Sequence, residues 1–163
     1  MDQQYNIDQS VNPAPEFPMK WHKFLIYFSL WAGAVLCVIN GLMLLTGMHY
    51  GGGSDTRMVY AFYSGLQAVD MIIGLVYLAC AVAYIITRFK LAKLERKGAK
   101  LVVLIPMIMA ALNLIYPLLA SMVTGLSMGD LMDSSAIGSI VGGVALSIYN
   151  KKYYEERDSI LID

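Results

Sequence analysis

Four long apolar stretches separated by short polar ones lay out the chain, and the second carries the most informative pattern. From Tyr60 to Arg88 every third or fourth position is polar, hydroxylated or small: Tyr60, Tyr63, Gln67, Asp70, Gly74, Tyr77, Ala81, Tyr84 and Arg88. Those positions share one face of a helix, and the residues between them, Val59, Leu66, Ile72, Ile73, Val82 and Ile86 among others, suit lipid. The pattern predicts a membrane helix whose inward face holds one carboxyl.

The other stretches complete the plan. The first helix is expected at about 21–46, uncharged after Lys23 and closed by Gly47 and a glycine-rich loop; the second spans about 58–89, the third about 101–124 and the fourth about 134–150. About 20 apolar residues cross a bilayer, so the fourth is short and must stand with little tilt. Residues 1–19 read as a disordered tail without the basic start and cleavage site of a signal peptide. The transmembrane domain then covers 20–150, and 151–163 form a C-terminal tail whose acidic-apolar finish, 158–163, is either a docking segment or inert. The corners Thr46-Gly47 and Thr124-Gly125 echo each other, through either a duplicated hairpin or the same glycine cap used twice.

Charge gives the orientation. Eleven of the twelve Lys and Arg residues fall in the N-terminal segment, the 90–100 connector with Arg88 just before it, and the C-terminus, against Arg57 alone on the other side. Cytoplasmic loops concentrate Lys and Arg, so both termini are expected in the cytoplasm of a plasma-membrane protein. Trp21, Tyr153 and Tyr154 at one boundary, and Tyr50 and Tyr60 at the other, suit interfacial anchors. The fold class is therefore an all-α membrane protein, a four-helix transmembrane bundle.

Composition narrows the chemistry. With 58% hydrophobic and 15% charged residues, the chain is far below the roughly 25% charge of soluble domains. Zero net charge and the lack of a basic aromatic patch argue against nucleic acid. No nucleophile motif, metal-spaced His or Cys set, or phosphate loop is present, so no catalytic residue, cofactor or metal is expected.

Counting about 1.5 Å per residue from the basic boundaries puts Asp70 at about 27 Å, Asn40 at about 25 Å and Asn113 at about 20 Å. Asp70, Asn40, Gln67, Tyr63 and Asn113 are therefore expected as a polar cluster in the outer half, with Cys37 and Cys80 too far apart in depth to pair. A carboxyl there, without a cation, must face inward, find donors or take up a proton. It serves either as a register lock or as a proton or cation carrier. Pro117 is expected to kink the third helix and free the Asn113 carbonyl. Gly138 and Gly142, beside Ser135, Ser139 and Gly143, have the small-residue spacing of a close helix contact, within the chain or with a second copy.

Trp21-His22-Lys23-Phe24-Leu25-Ile26-Tyr27-Phe28, with Leu45-Thr46-Gly47, Val69-Asp70, Thr87-Arg88-Phe89 and Thr124-Gly125-Leu126-Ser127, resembles a group of small four-helix membrane proteins of anaerobic Gram-positive gut bacteria. The resemblance implies a bacterial plasma membrane and brings no activity with it. The expected function is a non-enzymatic accessory or oligomer-forming membrane protein, its partners the lipid bilayer and a second copy or another membrane protein. The alternative is a small proton- or cation-coupled transporter or channel using Asp70 in an outward-facing polar pocket.

Overall fold

The computed structural model describes residues 19–132 and 134–163, all-helical in architecture. The tail expected at 1–19 lies, except for Met19, outside the described residues, as does Asp133. Among the described residues, and apart from short 3-10 turns, six helices follow in order: α1 (Lys20–Thr46), α2 (Gly53–Phe62), α3 (Leu66–Ala92), α4 (Arg96–Thr124), α5 (Met128–Leu131) and α6 (Ser134–Glu155). Among the described residues, α1, α3 and α4 are long and apolar enough to cross a membrane. The fourth long helix, α6, is diluted by serine and glycine. Large apolar side chains stand exposed along the outside, including Val35 and Ile39 on α1, Ile72 and Val82 on α3, and Leu104 and Leu118 on α4, as lipid contact requires.

The long helices pack in chain order, α1 on α3, α3 on α4 and α4 on α6. Glycine makes two of these contacts close. A Cβ on Gly41 would lie 3.0 Å from the Gly74 carbonyl, and one on Gly74 3.0 Å from the Gly41 carbonyl, so α1 and α3 touch backbone to backbone. Gly143 does the same for α6, where a Cβ would come within 2.9 Å of the Pro106 carbonyl. Gly138 and Gly142 are not part of this packing: a Cβ on either meets nothing within 4 Å. Helix rotation decides this. Gly143 and Ser147, four residues apart, face α4, with the Ser147 hydroxyl donating to the Val103 carbonyl, and this turns the 138/142 row away.

At the end where α1 starts and α6 finishes, hereafter the basic end, a cluster of Leu25, Ile26, Leu30, Leu91, Val102, Tyr153 and Tyr154 is buried. Proline shapes it. Pro106 cannot donate to the Val102 carbonyl, and the Asn150 side chain of α6 donates to that carbonyl instead at 3.2 Å. Asn150 also accepts from the Trp21 indole at 2.9 Å, and His22 and the Tyr154 hydroxyl share a 2.9 Å bond. Trp21, Tyr153 and Tyr154 thus join α1 to α6 rather than serving only as interfacial anchors.

Two segments depart from the sequence expectation, and a third follows one of its two alternatives. The helix expected at 58–89 is broken at 63–65, between α2 and α3. The 90–100 connector is a tight turn of three residues between α3 and α4, with Leu94 at φ 57, and α4 starts at Arg96. The 158–163 finish is docked on that turn: the Arg96 amide donates to the Ile162 carbonyl at 2.7 Å, and the Ile162 amide to the Leu94 carbonyl at 2.9 Å. Arg96 pairs with Asp158 and, at 2.9 Å, with Asp163. Lys90 donates to Glu95 at 2.9 Å and holds that carboxyl below its ordinary range.

Candidate functional site

Asp70 is fully buried on α3, and its two oxygens are each served by a phenol. Tyr60 donates to Oδ2 at 2.9 Å, and Tyr116 of α4 donates to Oδ1 at 3.0 Å. Tyr116 has one proton, which goes to Asp70, so the Tyr50 hydroxyl, 3.1 Å away, donates to Tyr116. Ten residues of continuous helix would hold Tyr60 about 15 Å from Asp70 along the axis. The break at 63–65 folds α2 back and makes the bond. Thr56 anchors the same short helix, donating at 2.7 Å to the carbonyl of Gly47, whose φ of 68 ends α1. The edge-to-face pair of Tyr50 and Tyr60, 5.7 Å between centroids, closes the network.

Burial is the main cause pushing the Tyr50 phenol up to about 12, with the Asp70 charge adding to it. A phenol raised in the folded state keeps its stabilising contribution below its unfolded value of about 10 and loses it as pH rises to about 12. Thermal unfolding in micelles between pH 9 and 12 should therefore show an alkaline decline that is shallower in Tyr50→Phe than in the parent protein. An identical decline in both proteins would contradict the assignment.

The other expected members of the cluster do not meet Asp70. Gly41 opposite Gly74 in antiparallel helices puts Leu45 opposite Asp70 and Leu75 opposite Asn40. Asn40 therefore lies more than a turn from the carboxyl's level, and its amide donates to its own helix at the Leu36 carbonyl, 2.9 Å. The depth count misplaced it because α3 runs past Arg88 to Ala92, so Arg88 does not mark the boundary. The same register puts Cys37 within a turn of Cys80; both are free thiols of one buried cluster with Tyr77 and Ile73. Gln67 is exposed, and Tyr63 sits at the helix break.

Asn40 and Asn113 instead line a cavity of about 670 Å³. It lies between α1 and α6, with α3 and α4 as its back wall, and runs from His49 and Leu131 at the far end down to Gly33, Tyr84 and Leu146. Pro117, Ser135, Ser139, Gly142 and Gly143 belong to its walls, so the small-residue row of α6 borders open space. A second cavity of about 250 Å³ continues toward the basic end and stops at Asn150, where the Trp21 bond joins α1 to α6. Tyr116 is the link between the two features: it lines the cavity and donates to Asp70, which does not line it.

No family model, curated protein or solved structure matches the chain. Among the described residues, no group of three or more His, Cys, Asp or Glu is placed to hold a metal ion. The residues that sequence reasoning missed are Tyr116, Asn150 and Gly41. Tyr116 and Gly41 stand in apolar runs with no signal of their own, and Asn150 looked like a helix boundary.

Proposed function

We propose that this is a four-span plasma-membrane protein that catalyses no reaction and holds a small amphiphilic molecule in a cavity facing the outer side. The cavity between α1 and α6 carries the reading. Its volume, about 670 Å³, falls within the roughly 300–1,000 Å³ of small-molecule sites, and its wall is mostly apolar with a few polar groups. It is too small to admit several turns of a partner helix about 10 Å wide. The concentration of Lys and Arg at the basic end supports a cytoplasmic location for both termini, which turns the cavity's far end, at His49 and Leu131, outward. The resemblance to small bacterial membrane proteins supports the plasma membrane.

Single cysteines in a Cys37→Ala, Cys80→Ala background test the topology. With a membrane-impermeant maleimide, Ser54→Cys and Ser139→Cys should label from outside intact cells, and Lys97→Cys only after lysis. Labelling of Ser139→Cys only after lysis would overturn the outward-facing cavity.

Two further roles rest on separate observations. Transport coupled to protons or cations is supported by Tyr116, which joins the cavity wall to Asp70. Association with a second copy is supported by Gly138, whose Cβ position is open for 4 Å. Gly138→Cys should then give a disulfide-linked dimer in oxidised membranes, and its absence excludes contact through that row.

A further inference from the structure

Resting on the reading of the cavity as a binding site, we propose that its ligand is a lipophilic organic cation, held by asparagine oxygens and tyrosine faces and attracted by the Asp70 carboxyl behind Tyr116.

The polarity of the wall is one-sided. Asn40 and Asn113 each use the amide nitrogen on a carbonyl of their own helix, Leu36 at 2.9 Å and Met109 at 2.9 Å. That leaves both amide oxygens as acceptors at the wall, with no partner among the described residues. Pro117 has no amide hydrogen for the Asn113 carbonyl, which adds a third acceptor on the same stretch of α4. Tyr77, Tyr84 and Tyr116 bring three aromatic rings to the wall, and ring faces attract organic cations within about 6 Å of the centroid.

The charges agree with the dipoles. No Lys or Arg lines the cavity, and His49 at the far rim is its one basic side chain among the described residues. Asp70 stands behind the back wall, one phenol away, with Tyr116 donating to it at 3.0 Å. An anion would meet acceptor oxygens and a carboxyl there, with no fixed cation to offset its desolvation. A cation of the same size meets oxygens, π faces and, behind Tyr116, a carboxyl. Gly142 and Ser139 on α6 leave the width that a bulky, branched cation needs, since a Cβ at position 142 touches nothing.

Tetraphenylphosphonium and tetraphenylborate share size and shape and differ in charge sign, so they separate cavity from charge. Each is titrated onto the full chain in nanodiscs, for the parent protein and for Gly142→Leu, which adds bulk at a cavity wall where a Cβ meets nothing within 4 Å. Circular dichroism verifies that the variant is folded. The expected result is phosphonium retention by the parent that Gly142→Leu abolishes, with no such difference for the borate. Asn113→Leu should weaken phosphonium binding, since one oxygen dipole at the cavity wall is lost. If both ions are retained and both are lost in Gly142→Leu, the cavity binds amphiphiles and the charge preference is overturned. If neither ion shows a Gly142-dependent difference, the cavity reading falls, and this inference with it.

Discussion

Replacing Asp70 with alanine destabilises the folded bundle by roughly 2–4 kcal/mol, read as an earlier unfolding midpoint when sodium dodecyl sulfate is titrated into milder micelles. The loss has two sources. Two bonds from phenols to a buried carboxyl disappear, and the hydroxyls of Tyr60 and Tyr116 are left without their acceptor. Asp70→Asn should fall between parent and alanine, because the amide keeps one acceptor oxygen and turns an NH₂ group toward the other phenol. Tyr60→Phe and Tyr116→Phe should each cost less, and the Tyr116 change more than the Tyr60 change because it also removes the partner of Tyr50. Coupling between the two tyrosine changes should be clear in a double-mutant cycle and small once Asp70 is alanine. A midpoint unmoved by Asp70→Ala would remove the carboxyl from the list of structural groups and leave a purely functional role for it.

Substituting isoleucine at Gly143 should destabilise the protein by about 3 kcal/mol, while the same change at Gly138 should be nearly neutral. At position 143 the first added carbon already lies 2.9 Å from the Pro106 carbonyl and 3.3 Å from the Ala110 methyl, and backbone cannot move aside as a flexible side chain can. The α4–α6 contact must therefore open, which strains the Ser147 bond to Val103 and the Asn150 bond to Val102. At position 138 nothing lies within 4 Å, so the same side chain enters free space. Equal effects at the two sites would mean that both glycines lie in one interface.

These contrasts mark where sequence reasoning succeeds. The apolar cores of the helices of 27 to 29 residues are legible because a bilayer leaves few alternatives: backbone groups must bond internally, so such runs become helices. Glycine stops are legible too, since Gly47 and Gly125 take left-handed φ values of 68 and 72 that other residues resist. The same reasoning weakens at the 63–65 break. Val59, Leu66 and Val69 continue the apolar rhythm through Tyr63-Ser64-Gly65, so periodicity carries no sign of a fold-back that brings Tyr60 to Asp70. A GxxxG spacing names a face that can pack closely, and the rotation of α6 about its axis decides which neighbouring glycine does so.

By itself the sequence determined that the chain is helical and built for a membrane, that one carboxyl must be hidden inside it, and that charge gathers at one end. Those follow from transfer energies, which depend on each residue's own chemistry and on its neighbours in the chain. Only the tertiary structure decided which groups share a site. Asp70 is served by Tyr60, Tyr116 and, through the latter, Tyr50; Asn40 and Asn113 belong to the cavity. The reason is register: a shift of one turn between packed helices, about 5.4 Å, exchanges every partner and leaves the hydrophobic pattern unchanged. Contacts such as Gly41 on Gly74 set that register, and their strength lies in a fit between two surfaces that neither stretch of sequence records alone.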